Sequence, residues 1–377
     1  MKYIYLDNAA TTRVTEPAIR EMIKYAGEDY FNPSAGYAPA LAVRKAISTA
    51  ASAIADIIGA ESGEIVFTSC ASESNNHAFA CGIKNKKGNV VIGGAEHASV
   101  YECANRLKSK GTDVRFVAPD TGGHITPENV AAATDGNTAF VSIMHCSNET
   151  GAVNDIAGIV KAVRKISPSA IIHSDGVQAF CKIPVNVKKL GVDLYSISAH
   201  KVRGPKGTGA LYIKKGLSLP AFIAGGGQQN GRRSGTENVC GIMSFATAAN
   251  EYAAVAKSFD AHALRSIFTD RFSGREDVSV NGTAPDSGYI LSLSFKGLKG
   301  EIIAHGMEDR GILIGLGSAC STHIKTNRVL SSMGVSKDFA EGSIRISFCP
   351  DNTVEEALIA AEALEEVTND LRRRMSR

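Results

Sequence analysis

No two of the eight cysteines, at positions 70, 81, 103, 146, 181, 240, 320 and 349, are spaced Cys-x-x-Cys. That excludes the usual zinc and iron–sulfur frameworks, so no metal site is expected, and a chain of 377 residues with this spacing has no disulfide-scaffold signature. Seven of the thiols sit in or beside apolar patterns and read as small buried hydrophobes in a reducing compartment. Long hydrophobic runs are missing too. None approaches the length that spans a bilayer, and Met1-Lys-Tyr-Ile-Tyr-Leu-Asp7 lacks the pattern of a signal peptide. The expectation is a cytoplasmic protein with no membrane partner. Charge of one sign is scarce: 41 lysines and arginines against 38 acidic residues leave a net charge of +3, which argues against nucleic acid as a direct partner. The one concentrated basic run, Arg372-Arg-Arg374 with Arg377, reads as a solvated helix C-terminus favoured by the macrodipole. There is no internal repeat and no low-complexity tract.

What is present is an ordinary globular balance, 44% hydrophobic and 21% charged, with a length that suits two or three domains or one large α/β unit with an appendage. Short β-rich runs occur at Ile65–Thr68, Val90–Gly93, Val114–Val117, Thr138–Met144, Ala170–Ser174, Leu194–Ser198 and Gly209–Ile213. Helical patterns separate most of them. In Ile156–Ile166, for example, Ile156, Ile159, Val160, Val163 and Ile166 share a face. Seven strands so separated predict an α/β fold with a mostly parallel, doubly wound sheet. Ahead of them, Leu41 to Ile58 carries Ile47, Ala50, Ala51, Ile54 and Ile58 on one stripe and stops at Gly59, and Thr126-Pro127 reads as an N-cap with proline at the first helical position. Past about residue 258, shorter strands (Val278–Val280, Tyr289–Phe295, Ser343–Phe348) mix with helices in an α+β pattern. It ends in a helix from Val354 to about Leu371 expected to bury Ala357, Leu358, Ala361, Leu364, Val367 and Leu371. The expected division is an N-terminal arm over 1–15 packing with the small domain, a large domain over 16–258 and a small C-terminal domain over 259–377. Gly225-Gly-Gly-Gln-Gln-Asn-Gly231 is the one loop flexible enough for a linker or binding loop.

The chemistry gathers at strand ends, where ligands bind in open α/β sheets. Lys201 follows the run Leu194–Ser198, and Asp175 stands 201 − 175 = 26 residues upstream at the end of another apolar run. A lysine after a strand is usually a solvated charge. Together with that aspartate, it supplies an amine for an aldehyde and an anion for a pyridinium nitrogen, which is what pyridoxal 5'-phosphate needs from a protein. Ser69-Cys-Ala-Ser72 opens a helix whose free N–H groups at Ala71 and Ser72 would face a phosphate, although a plain N-cap explains that stretch as well. Among the histidines after strands, His97 is favoured over His145 and His173 to lie flat on a ring. Asn148 can bond cofactor or substrate, Gln178 can reach a phenolic oxygen, and Ser198 and His200 flank Lys201 as phosphate donors.

Leu6-Asp-Asn-Ala-Ala-Thr-Thr12, Asn32-Pro-Ser34, Ser72-Glu-Ser-Asn75, Glu96-His97, Asn148-Glu-Thr-Gly151, Ser198-Ala-His-Lys201, Arg233-Ser-Gly-Thr-Glu-Asn238 and Gly317-Ser-Ala-Cys320 together resemble the cysteine desulfurases, in that family's order from about residue 4 to 370. The resemblance implies a fold-type I, class V aminotransferase-like homodimer that uses pyridoxal 5'-phosphate to take sulfur from L-cysteine, release L-alanine and hand sulfur to an acceptor protein. Iron–sulfur cluster or other thio-cofactor synthesis is the implied destination. By position, Lys201 resembles the Schiff-base lysine. Ala71, Ser72, Asn148, Gln178, Ser198, His200 and Thr236 match cofactor-binding positions, Thr236 reaching the neighbouring subunit's phosphate. His97 matches the stacking histidine and a second proton donor, Asp175 the pyridinium partner, and Arg345 the carboxylate clamp, with Arg232 or Arg233 next in line. Cys320 matches the nucleophile that becomes a persulfide. It is expected on a mobile segment supplied by Gly315-Leu-Gly317 and Ser321-Thr322. The chain departs from the family at Cys70 (usually glycine), Ser72 (usually threonine), Tyr37 (often histidine) and in Ser321-Thr-His-Ile-Lys-Thr-Asn-Arg328, which lacks a Leu-Glu-Pro run and is about one residue short. Rival readings are a selenocysteine lyase or small-amino-acid aminotransferase of the same superfamily, and a non-catalytic scaffold for sulfur transfer.

Overall fold

The structure is a computed structural model that describes residues 3–83, 88–317 and 327–375. Its strands are β1 (Ile4–Leu6), β2 (Ile65–Thr68), β3 (Asn89–Gly93), β4 (Val114–Val117), β5 (Thr138–Ser142), β6 (Ile171–Asp175), β7 (Leu194–Ser198), β8 (Gly209–Ile213), β9 (Val278–Asn281), β10 (Ile290–Phe295), β11 (Ile312–Ile314) and β12 (Ser343–Ser347). Seven of them form one sheet in the order β2-β8-β7-β6-β5-β3-β4. All pairings in it are parallel except those of β8, which runs antiparallel to β2 and β7.

The sheet is covered on both faces because its strands are apolar at successive positions, not at alternate ones. Ile65 and Phe67 of β2 face one core and Val66 the other, as the period of two requires. One face packs α1 (Glu16–Gly27), α2 (Ala38–Ile58), α6 (Ile156–Ile166) and the helix Val239–Val255. The other packs α3 (Ala71–Gly82) and α4 (Ala98–Ser109). In α6, Ile156, Ile159, Val160 and Val163 are buried, each contributing roughly 1.5–3 kcal/mol. Ile166, expected on the same stripe, is the last residue of the helix and is 39% exposed. Gly59 ends α2 in the left-handed region at φ 70°, and Thr126 caps α5 (Pro127–Ala133) through a 3.2 Å bond from the Asn129 N–H.

A second sheet, β12-β10-β9, is antiparallel and packs against the helices Ala261–Phe272, Gly300–Glu308 and Val354–Met375 around its own core. Two short strands, β1 and β11, had no signal in the sequence. They pair in parallel and insert Leu6 into this second core, so the N-terminal residues belong to the C-terminal body. Leu358, expected to be buried, is 50% exposed, because the last helix turns Ala357, Ala360, Ala361 and Leu364 inward instead.

The winding of the main sheet places the site. From β3 the chain steps outward to β4, then returns to the other side of β3 as β5 and continues through β6 to β7. The carboxyl ends of β3, β5, β6 and β7 therefore surround the point where the direction of winding reverses, and the loops there diverge and leave a crevice.

Candidate active site

A cavity of about 630 Å³ lies at that crevice. Asp175 enters from the end of β6, Ser198, His200 and Lys201 from the end of β7, His97 from the β3–α4 connection, and Asn148 from the loop after β5. Ala71 and Ser72, in the first turn of α3, Gln178, and Arg345 of β12 complete the group. The ends of β3, β5, β6 and β7 hold their side chains because these strands are interior to the main sheet, paired on both edges, so the residues just beyond them have little freedom.

Asp175 is buried and held by two donors: its Oδ1 accepts from the Val177 N–H at 3.0 Å and its Oδ2 from Asn75 Nδ2 at 2.8 Å. Asn75 Nδ2 also donates to Ser99 Oγ at 2.8 Å, which lies 2.8 Å from His97 Nδ1. The Ser99 N–H donates to the same Nδ1 at 3.1 Å, so the neutral ring carries its proton on Nε2. The aspartate and the histidine are thus oriented by one chain of hydrogen bonds. His145 and His173 are buried elsewhere, His145 against Tyr195 Oη at 2.8 Å and His173 between Ser142 Oγ and Ser196 Oγ.

Lys201 Nζ donates to the carbonyls of Ala9, at 2.5 Å, and Ala10, at 2.7 Å. Burial pulls its amine down to about 7, and the nearby cations Lys182 and Arg345 pull the same way. Burial and Lys201 likewise pull the His200 imidazole down to about 3, and desolvation lowers His97 although its ring opens onto the cavity. Arg345 Nη2 pairs with Asp7 Oδ1 at 2.9 Å and Nη1 donates to the Asn148 carbonyl at 3.0 Å, while its buried Nε has no acceptor among the described residues. Arg233 is engaged by Glu73 at 2.8 Å, and Arg232 donates to the Gly63 carbonyl. Neither lines the cavity.

Cys320, Ser321 and Thr322 lie outside the described residues. The glycines before them are closely packed. Gly315 exchanges two backbone bonds with Arg345, of 2.9 and 2.7 Å, and a Cβ there would meet Asp7 Oδ1 at 2.4 Å. Gly317 has φ 62°, lines the cavity, and would set a Cβ 2.2 Å from Glu149 Oε2. Both are glycine because neighbours approach closely. Cys70, expected to be an inert buried thiol, stands at the N-cap of α3 on the cavity wall. Cys146 also lines the cavity, but it is buried and its thiol, like that of buried Cys349, is pushed up to about 11 by desolvation. Thr236 is exposed on the loop after the glycine-rich segment and does not line this cavity.

The sequence matches the family described as Aminotransferase class-V over residues 4–358. The chain belongs to that family. A Nostoc sp. protein named cysteine desulfurase is 34% identical, the match covering 99% of this chain and 94% of that one. A solved structure titled "NIFS-LIKE PROTEIN" superposes with a TM-score of 0.90 at 33% identity, covering 97% of this chain and 99% of that one. Another, titled "SspA in complex with cysteine", gives a TM-score of 0.82 at 32% identity, covering 92% and 99%.

The cofactor of this class-V aminotransferase family is pyridoxal 5'-phosphate, and the residues present fit it. Ser198 Oγ is buried without a partner among the described residues, beside the first turn of α3, as a phosphate contact requires. Asp175 offers a doubly bonded carboxylate, and the Lys201 amine is desolvated. Several residues of the site escaped the sequence reading. Glu96 is fully buried against the Met144 N–H, with its carboxyl raised well above the usual range by desolvation and then by Asp175. Arg328 stacks 3.8 Å from the Tyr101 ring centroid and donates to the Gly94 and Glu96 carbonyls. Asn75 and Glu96 stood inside quoted motifs, Ser72-Glu-Ser-Asn75 and Glu96-His97, and that was the available signal. Arg328 had none beyond its place in the departing segment.

Proposed function

We propose that the chain is a pyridoxal-phosphate-dependent cysteine desulfurase that converts L-cysteine to L-alanine and passes the sulfur, as a persulfide, to an acceptor protein in iron–sulfur or other thio-cofactor synthesis. The observation that carries the reading is a desolvated lysine amine and a doubly bonded aspartate facing one cavity, with a guanidinium on its rim. When bound, pyridoxal 5'-phosphate supplies an aldehyde for amino groups and a ring that withdraws electrons from the adjoining carbon. Ala71, Ser72, Ser198, His200 and Asn148 would hold it with Thr236 of a second subunit, His97 would stack on the ring, Asp175 would keep the ring nitrogen protonated and Gln178 would bond the phenolic oxygen. Arg345 takes the substrate carboxylate, its planar fork suited to two oxygens. Lys201 Nζ moves the proton from the substrate α-carbon, and His97 Nε2 is the second donor.

Cys320 attacks the substrate sulfur as a thiolate. An S–S bond forms, the substrate's Cβ–S bond breaks with its electron pair staying on carbon, and a proton completes the alanine methyl group. The sum is cysteine plus enzyme thiol giving alanine plus enzyme persulfide, with every atom accounted for. A reducing, cytoplasmic setting suits that chemistry, and no described helix is long and apolar enough to cross a membrane. The test is product analysis after incubation with L-cysteine and a thiol reductant. Alanine and sulfide in equal amounts are expected. A keto acid would mean an aminotransferase, no turnover a scaffold, and a strong preference for selenocysteine a lyase.

Arg345→Ala is expected to raise KM for cysteine by roughly ten- to a hundredfold, the contribution of a charged hydrogen bond, while moving cofactor affinity much less. An unchanged KM would remove Arg345 from the clamp.

A further inference from the structure

Lys182 is buried and lies outside the cavity lining, yet its Nζ donates to Gln178 Oε1 at 2.7 Å. The chain turns tightly here, Phe180 N–H bonding the Gly176 carbonyl and Cys181 taking a left-handed φ of 61°, and this turn lets the two side chains meet. Gln178 Nε2 in turn donates to the Ala9 carbonyl at 3.0 Å, the same oxygen that accepts from Lys201 Nζ. An ammonium has only donors, so the amide oxygen must face Lys182 and the amide nitrogen must face the cavity side. That nitrogen carries two hydrogens and uses one on Ala9.

We propose that Lys182 is a positioning residue for the cofactor: it locks the Gln178 amide so that an N–H, never the carbonyl, is presented to the phenolic oxygen of the ring. The proposal rests on the reading that pyridoxal phosphate occupies this cavity. An unlocked amide could turn its oxygen inward and repel a phenolate, which would lose the electron-withdrawing form of the ring. The Lys182 Nζ also lies 5.8 Å from the centroid of the Tyr289 ring, just before β10. The groups bearing on it are the Cys146, Cys181 and Cys349 thiols and Arg345, and it bears in turn on Lys201 and His200. Burial pulls its ammonium down to about 8, so the lock is strongest below that pH, where the amine is charged and can only donate.

The test uses the holoenzyme and titrates the visible absorbance of bound pyridoxal phosphate with pH. An N–H aimed at the phenolic oxygen, and a cation behind it, favour the deprotonated form and hold the midpoint low. Lys182→Met should raise the midpoint by about one pH unit, the scale of one hydrogen bond, with the cofactor still stoichiometric. In a Gln178→Ala background the same change should shift it by less than half as much, because the amide through which Lys182 acts is gone. Equal shifts in both backgrounds, or none in either, would overturn the proposal. Should Lys182→Met fail to fold, Gln178→Glu decides. It leaves Lys182 its acceptor but turns a carboxylate oxygen to the cavity, and an unmoved midpoint there overturns the proposal equally. A wild-type protein that takes up no pyridoxal phosphate would instead refute the functional reading, before any variant is compared.

Discussion

Cys320→Ser should bind pyridoxal phosphate and L-cysteine as the wild type does and yet release sulfide at least about a thousandfold more slowly, the scale on which loss of a nucleophile acts. Binding should be spared because, in the proposed reading, the cofactor and carboxylate are held by the residues at the strand ends and by Arg345, which line the cavity. Sulfur transfer is lost because the attacking atom is gone. Among the described cysteines, Cys146 and Cys349 are buried and their thiols are pushed up to about 11, so neither offers a thiolate near neutral pH. Cys70 is the competitor the structure introduces, since it lines the cavity at the head of α3. Cys70→Ser is therefore the companion measurement, and it should keep most of the sulfide release. The opposite pattern, with Cys70→Ser inactive and Cys320→Ser active in the presence of a thiol reductant, would assign the attack to Cys70.

Lys201→Ala should fold, lose the visible absorbance of the bound cofactor and show no measurable turnover. A buried amine pulled down to about 7 is mostly neutral, and so nucleophilic, at pH 8 and mostly charged at pH 6. The rate at which apoprotein takes up pyridoxal phosphate into the coloured form should accordingly rise through about pH 7, far below the range of an ordinary lysine. An unchanged spectrum in the variant would dismiss Lys201. The same variant tests the proposed dimer. Thr236 is exposed on the loop beyond the glycine-rich segment, away from this chain's own cavity. If it serves the neighbour's phosphate, mixing Lys201→Ala with Thr236→Ala protein under subunit exchange yields some heterodimers with one intact site, and cofactor affinity partly recovers. No recovery despite proven exchange would put both residues in one subunit's site.

The order of strands and helices was readable from residue pattern alone. Ile65–Thr68, Val114–Val117, Leu194–Ser198 and Gly209–Ile213 are strands with the bounds their apolar runs suggest, and Ile156–Ile166 is a helix with its expected ends. Period and capping are local properties, set by residues within a turn or two of each other. The motifs at strand ends named Asp175, Lys201 and His97, and the fold brings these three to one cavity.

Other features depend on partners far away in the chain, and only the tertiary structure decided them. β1 and β11 are three residues each, too short to have a period, and exist because residues some three hundred apart pair. Gly315 and Gly317 looked like a flexible run, but they are glycine because Asp7 and Glu149 press against them. Leu358 fits an apolar stripe, yet among the described residues it is left 50% exposed. Cys70 stood out only as a departure from the family's usual glycine and Lys182 had no distinctive context, and their surroundings follow from which cavity wall or amide oxygen lies beside them. The sequence by itself determined the order of elements and the chemical groups at strand ends, because propensity and periodicity act between near neighbours. Packing decided which groups meet, how desolvated they are and which hydrogen-bond faces they present, because burial and contact are set by the whole chain at once.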